Sequence, residues 1–98
     1  MKQEELFKLY DQILQHCQKY NGQMNDKTLN LNPDLKDVNR YTIGECVREL
    51  TNKYNYLAST WSEAYEVTLT GKRFFESGGF AKQLEEKNKK IRKIHLFE

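Results

Sequence analysis

The chain has 98 residues, of which 38% are hydrophobic and 31% are charged, and its five Phe, six Tyr and one Trp supply bulky core material. This length suffices for one domain with one compact core, and the composition excludes a chain that is disordered throughout. No apolar run approaches the roughly 18 residues of a membrane-spanning helix, and the start of the chain lacks the basic-then-apolar order of a secretory signal. We therefore expect a cytoplasmic protein.

The net charge of +2 conceals an asymmetry along the chain. Residues 1–70 contain eight Lys or Arg and ten Asp or Glu, whereas residues 71–98 contain eight and four, which gives charges of −2 and +4. The basic character of the protein therefore belongs to its C-terminal end.

The first predicted element is an amphipathic helix over residues 3–20. Asn21-Gly22 is expected to end it, because both residues tolerate the left-handed conformation common just past a helix C-terminus. His16 falls on the polar side, where we expect a solvated or hydrogen-bonded ring, since a metal site would need companion ligands. The apolar positions of the helix are Leu6, Leu9, Tyr10, Ile13, Leu14, Cys17 and Tyr20.

Two short elements are predicted in the polar stretch that follows. Leu29 and Leu31 alternate with polar residues, which favours a short edge strand. Asn32-Pro33 is typical of an N-cap followed by proline at the first helical position, where the missing N–H costs nothing. This signal predicts a short second helix, whose inner face would be formed by Leu35, Val38 and Tyr41.

A third helix is predicted to begin at Thr42, with Glu45 completing a T-x-x-E capping box. Only a residue or two would then separate the second and third helices, which predicts a tight helix-turn-helix. Cys46 and the earlier Cys17 lie within helical patterns and lack C-x-x-C spacing, so both are expected to be buried thiols. The apolar face of the third helix would consist of Ile43, Cys46, Val47, Leu50 and Tyr54.

The remaining signals predict a β-hairpin. Residues 54–59 would form its first strand and residues 59–64 a loop that holds Trp61. Tyr65, Val67 and Leu69 then alternate with polar residues, the period-two pattern of a half-buried second strand.

Two helices are predicted after the hairpin. Thr70 is expected to cap the first one, which would direct Phe74 and Phe75 inward and end at Gly78-Gly79. Beyond these glycines, apolar residues recur at helical spacing around a polar middle stretch. They are Phe80, Leu84, Ile91 and Ile94.

The junction between hairpin and helix resembles the end of small bacterial winged-helix domains, in which a pattern like Y-x-[IVL]-T-x-x-G-x-x-F closes the wing. Tyr65, Val67, Thr68, Gly71 and Phe74 match this pattern. The ending E-S-G-G-F is also similar to short proteins of gut Bacteroidetes. The resemblance implies an α+β winged helix-turn-helix fold, with a three-helix core and a hairpin wing over residues 1–79. An additional charged C-terminal helix over residues 80–98 would either pack on this domain or mediate association.

Catalysis is not expected, because the chain contains no G-x-x-x-x-G-K-[ST], G-x-S-x-G or H-E-x-x-H motif. We also expect no cofactor, metal or small-molecule substrate. The resemblance instead implies binding of double-stranded DNA, with the third helix in the major groove. Arg48 can pair with guanine, Asn52 with adenine and Lys53 with phosphate, although Glu45 and Glu49 are expected on the same face and would repel phosphates.

Further phosphate contacts are expected from the C-terminal end, where each contact would release counterions. The residues concerned are Lys82, Lys89, Lys90, Arg92 and Lys93. The alternative is a protein-interaction module that forms a homodimer without binding nucleic acid, and the acidic residues Glu63 and Glu66 near the hairpin tip favour it. Its interface would comprise Trp61, Phe80, Leu84, Ile91 and Ile94.

Overall fold

The structure is a computed structural model, which describes the backbone of residues 2–61 and 64–96 and the side chains of residues 2–60 and 64–87. Within these ranges the chain forms five helices and one antiparallel two-stranded sheet, so the expected α+β class is confirmed. The elements in chain order are α1 (Gln3–Lys19), α2 (Asp26–Leu31), α3 (Arg40–Asn52), β1 (Leu57–Trp61), β2 (Ala64–Val67), α4 (Leu69–Glu76) and α5 (Gly79–Leu96).

Helix α1 forms as its periodicity predicts, and its apolar face supplies much of the core. The chain leaves the helix through Asn21 and Gly22, both with positive φ (56° and 84°). A Cβ atom at Gly22 would collide with the carbonyl oxygen of Tyr65, and the Tyr65 N–H donates to the Gly22 oxygen at 2.7 Å. The expectation that His16 lies on the polar side of the helix is wrong, because this residue is only 1% exposed, whereas the expected hydrogen bonding of its ring is confirmed.

The segment after α1 differs from the prediction. Leu29 and Leu31 belong to a helix, not to an edge strand, because Asn25 and Thr28 form a reciprocal capping box that starts α2. The N-cap geometry at Asn32 is present, since its side chain accepts from the Asp34 N–H at 2.9 Å. The chain after it makes only turns, however, so the predicted second helix at this position and the tight helix-turn-helix are both wrong.

Helix α3 begins earlier than predicted. Asn39 is the cap, because its side chain accepts from the Tyr41 N–H at 2.8 Å, and Thr42 lies inside the first turn. Tyr41 is consequently on the surface of α3, 74% exposed, and not on the inner face of a preceding helix. The predicted apolar face is confirmed for the four residues that the structure buries, which are Ile43, Cys46, Val47 and Leu50.

The predicted hairpin is present with shifted ends. Strand β1 begins at Leu57, which pairs with Val67, and runs through Trp61, which pairs with Ala64. The backbone of Trp61 is therefore part of the strand, where the sequence predicted a loop. A single antiparallel bridge between Gln23 and Ala64 adds a third piece of extended chain beside β2.

The junction between β2 and α4 is capped by Thr68 and not by Thr70. The Thr68 hydroxyl accepts from the Gly71 N–H at 3.0 Å and donates to the Asn55 carbonyl at 2.8 Å. Because α4 begins at Leu69, directly after this cap and earlier than predicted, Leu69 does not continue the buried strand face and is 64% exposed. A Cβ atom at Gly71 would collide with the carbonyl oxygen of Tyr56, so the threonine and glycine of this junction have structural roles.

Helix α5 folds back onto α1. Gly78 and Gly79 have positive φ (117° and 66°) and lie at the junction where α4 ends and α5 begins, as predicted. The Asp11 carboxylate of α1 accepts from the N–H groups of Phe80 and Ala81, both at 2.9 Å, and so caps α5 from a distant part of the chain. The two helices therefore run antiparallel, with the Lys87 ammonium 3.5 Å from the side-chain oxygen of Gln3.

Phe80 is the centre of an aromatic cluster and is fully buried. Ring centroids lie 5.0 Å away for Phe7 and for Tyr10, 5.1 Å for Tyr54 and 4.7 Å for Phe74. Its predicted place at an interface between copies is therefore corrected, because the ring is already enclosed within one chain. The inward direction predicted for Phe74 and Phe75 is confirmed, since both are partly buried and pack against the core.

Candidate nucleic-acid interface

One exposed ridge runs along α3, opposite the face that the core buries. Tyr41, Glu45, Arg48 and Asn52 follow one another at spacings of four, three and four residues, and all are exposed. Such spacings place side chains on one face of a helix. We call these four residues the α3 ridge.

The start of the ridge is held in place by Arg40. Its guanidinium contacts Asp26 at 3.2 Å and the Asn30 side-chain oxygen at 2.8 Å, both on α2. It also donates to the backbone carbonyls of Leu35 (3.2 Å) and Val38 (3.4 Å) in the connection between the helices. Arg40 therefore fixes α3 relative to α2. The sequence gives no signal for this role, because the partners are set by folding.

Glu49 does not join the ridge, although the sequence places it on the same face as Glu45. The hydroxyl of Tyr10, a fully buried residue of α1, donates a hydrogen bond to the Glu49 carboxylate. Burial raises the pKa of Tyr10, and the hydrogen bond to Glu49 and its charge raise it further. The phenol therefore stays protonated and keeps this carboxylate directed towards α1, which leaves Glu45 as the acidic group of the ridge.

The predicted nucleic-acid contacts on α3 are all accessible. Arg48 and Asn52 are exposed on the ridge, and Arg48 makes no hydrogen bond or ion pair within the described part of the chain. Lys53 follows the helix and is also exposed, with its ammonium 5.3 Å from the centre of the Tyr54 ring. The three residues therefore lie together at the C-terminal half of α3.

Among the predicted basic residues of α5, Lys82 has a described side chain. Lys82 is exposed in the first turns of α5, the helix that packs on α1 and α4. The other four are outside the residues whose side chains the structure describes, namely Lys89, Lys90, Arg92 and Lys93. Among the predicted interface residues, Leu84 is partly buried, while the side chains of Trp61, Ile91 and Ile94 are likewise outside the described set.

Leu84 lines an open groove of about 610 Å³ between α1, α4 and α5. Its apolar wall is formed by Phe7, Phe75, Ala81 and Leu84. The rim also carries charged groups from α1 and from the connection between α2 and α3, which are Glu4, Lys8, Asp11 and Asp34. None of the residues that line it comes from α3, so this groove and the α3 ridge are separate surfaces.

The two cysteines are free and buried, as predicted. Burial raises the pKa of the Cys17 thiol to about 12, and burial together with the nearby charges of Glu49 and Glu45 raises that of Cys46 to about 11. Thiols act as nucleophiles or metal ligands only when they are deprotonated. Neither residue is therefore poised for chemistry at neutral pH.

The described residues contain no group of three or more His, Cys, Asp or Glu side chains placed to hold a metal ion. Within the same part of the chain, no helix combines the length and the apolar character needed to cross a membrane. Comparisons with known proteins give no match for this chain, whether with family models, curated proteins or solved structures. The function must therefore be inferred from the geometry of the chain itself.

Proposed function

We propose that the chain is a small, non-enzymatic, cytoplasmic DNA-binding protein with a winged-helix layout, in which α3 enters the major groove and the hairpin is the wing. The order α1, Gln23 bridge, α2, α3, β1 and β2 supports this layout. The junction at Thr68 and Gly71, where the sequence resembles winged-helix domains, supports it as well. The observation that carries the proposal is the α3 ridge, which is exposed along its whole length on a helix anchored by its other face.

The ridge offers groups that can read base edges. Arginine pairs with two acceptors of guanine and asparagine with the donor and acceptor of adenine, and each such pair contributes about 1–3 kcal/mol of discrimination. Arg48 and Asn52 are one helical turn apart, so in this proposal they contact neighbouring base pairs. Tyr41 stands at the N-terminal end of the same ridge, the end that contacts bases in many helix-turn-helix proteins. Lys53 then contacts a phosphate.

Both α3 and the hairpin, the two elements that would contact DNA, carry exposed acidic residues. Glu45 on the ridge and Glu66 on β2 are both exposed and would repel phosphates. Binding through α3 therefore requires additional cations, and the net charge of +4 over residues 71–98 provides them. Each phosphate contact releases counterions, so affinity should fall steeply as salt rises.

The test is fluorescence anisotropy with labelled duplexes of random sequence at about 50 mM and about 200 mM salt. Over this range about six to ten phosphate contacts cost about 10³ to 10⁵ in affinity. Arg48→Ala and Asn52→Ala should each weaken binding to a selected site by about 5- to 150-fold, which is the fold-change of 1–3 kcal/mol. Lys8→Ala is the matched control, because Lys8 is exposed on the separate groove. Absence of binding at the lower salt would disprove the proposal.

A second candidate is self-association without DNA binding, and the groove that Leu84 lines favours it. Phe7, Phe75 and Leu84 are only partly buried there, so a partner surface would cover apolar area that solvent now reaches. Sedimentation equilibrium at tens of micromolar tests self-association. Leu84→Asp is the variant that should disrupt it, and Lys82→Asp on the same helix is the control for the change in charge. A monomeric wild-type chain under these conditions would rule it out.

A further inference from the structure

His16 is buried at the point where α1, the turn after it, α2 and the connection to α3 meet. Its Nε2 atom lies 3.1 Å from the Gln23 carbonyl oxygen and 3.3 Å from the Thr28 hydroxyl. Its Nδ1 atom lies 2.8 Å from the amide nitrogen of Asn32. We call these four residues the His16 cluster.

The hydrogen bonds of the cluster define one protonation state. The Gln23 carbonyl can only accept, so Nε2 carries a proton and donates it there. The Asn32 side chain is oriented by the Asp34 N–H, which donates to its oxygen at 2.9 Å, so the Asn32 amide group donates to Nδ1. Nδ1 is then an acceptor, and the neutral ring satisfies all of its partners.

A second proton on His16 would break this arrangement. It would be added at Nδ1 and would face the N–H of Asn32, so two donors would oppose each other. Rotating the Asn32 amide would restore that contact, but would turn its NH₂ group towards the Asp34 N–H. Without the rotation the bond between α1 and the connection is lost, and with the rotation the Asn32–Asp34 bond that orders the start of the connection is lost. Both bonds lie beside Leu35, which is fully buried.

We propose that His16 is a proton-sensitive tie between α1 and the α2–α3 connection, and that its protonation releases residues 32–38 from α1. This inference does not depend on DNA binding.

The surroundings contain little that would stabilise a charged ring. Lys19 of α1 lies over the Tyr20 ring at 5.6 Å, and Tyr20 in turn packs on His16 with ring centroids 4.5 Å apart. The charged groups of the adjoining elements are Asp26 and Lys27 on α2 and Asp34, Lys36 and Asp37 in the connection, all exposed. Asp26 is paired with Arg40, and none of the five makes a hydrogen bond to the ring.

The direction of the pH effect follows from this environment. Burial lowers the pKa of His16, the hydrogen bond to Gln23 opposes this, and the charge of Lys19 lowers it further. A histidine in the unfolded chain has a pKa of about 6.5, so the unfolded chain takes up the proton first as pH falls. Stability is therefore lost below about pH 6.5, by at most a factor of ten in the unfolding constant per pH unit for one proton.

The experiment follows the two histidines and the backbone amides of the full chain by NMR between about pH 7 and pH 5, the interval that brackets an ordinary histidine pKa. The His16 ring should remain neutral at about pH 6.5, where an ordinary histidine is half protonated. Hydrogen-exchange protection of residues 32–38, corrected for intrinsic rates, should fall towards pH 5 before that of the α3 interior at Leu50. An ordinary His16 titration without loss of protection would overturn the proposal.

His16→Gln supplies the variant. Glutamine can donate to Gln23 and accept from Asn32 but has no proton to gain, so protection of residues 32–38 should become independent of pH in this range. His95→Gln removes the other histidine of the chain and should keep the wild-type response. An unchanged pH response in His16→Gln would overturn the proposal, and should this variant not fold, the ring titration of the wild-type chain decides.

Discussion

Helix α1 is contacted on two sides that differ in construction. On one side, α5 closes against it through aromatic rings centred on Phe80 and through the Asp11 carboxylate, which caps a helix 69 residues further along the chain. On the other side, α3 contacts α1, and the buried face of α3 joins the common core through Ile43, Val47 and Leu50. The two sides differ in role, because the aromatic side carries the closure of the fold, whereas the α3 side buries one helix face and leaves the other exposed.

The largest expected effect comes from the aromatic side. Phe80→Ala should destabilise the protein by about 3–5 kcal/mol, because it removes a fully buried ring and leaves a cavity between five other rings. Phe75→Ala is the matched control, and it should cost clearly less because Phe75 is only partly buried. Chemical denaturation measures both. Equal losses would mean that Phe80 is not the centre of the closure.

The polar part of the same closure predicts a smaller effect. Asp11→Ala should cost about 0.5–2 kcal/mol, the range of a lost N-cap, because the N–H groups of Phe80 and Ala81 lose their acceptor. Asp11→Asn should cost less, since it keeps one acceptor oxygen. Asp37→Ala, which removes an exposed carboxylate in the α2–α3 connection, is the control and should be close to neutral. Thermal unfolding monitored by circular dichroism measures the stability of the three variants.

The start of α3 allows a direct test between two capping residues. Asn39→Ala should cost about 1 kcal/mol, whereas Thr42→Ala should stay within about 0.5 kcal/mol, because Asn39 caps the helix and Thr42 lies inside it. A larger loss of stability in Thr42→Ala than in Asn39→Ala would show that Thr42 is the cap, as the T-x-x-E pattern predicts. Urea denaturation of the two variants, compared with the wild-type protein, distinguishes the outcomes.

This pair of residues shows where sequence patterns suffice and where they fail. The buried faces of α1 and α3 were predictable, because a periodicity repeated over several turns outweighs any single residue. Thr42 and Asn39 are both good caps, and in the folded chain Asn39 is the cap, directly before Arg40, which joins α3 to α2. The alternation of Leu29 and Leu31 was too short a pattern to compete with the capping box of Asn25.

The candidate site was predictable in part for the same reason. Arg48 and Asn52 follow from helical periodicity once α3 is recognised, because the outer face of an amphipathic helix is what remains after its apolar face is assigned. Tyr41 was missed, since an aromatic residue near a helix start suggests burial. Glu49 turns towards Tyr10, which is 39 positions away in the sequence. The buried His16 contacts residues as far as Asn32, which is 16 positions away. Short patterns do not contain such contacts.

The smallest expected effect has the opposite sign and lies on the free side of α3. Gly44 is exposed next to the ridge, within the helix, and a Cβ atom there would meet no other atom within 4 Å. Gly44→Ala should therefore stabilise the protein by about 0.5–1 kcal/mol, because alanine loses less backbone freedom in a helix than glycine. If the backbone of α3 approaches DNA closely, the same methyl group should weaken duplex binding. If the Gly44→Ala variant is more stable and binds DNA as the wild-type chain does, the DNA contact lies on the Arg48 side of the ridge. If the variant is less stable, the environment of Gly44 is not open.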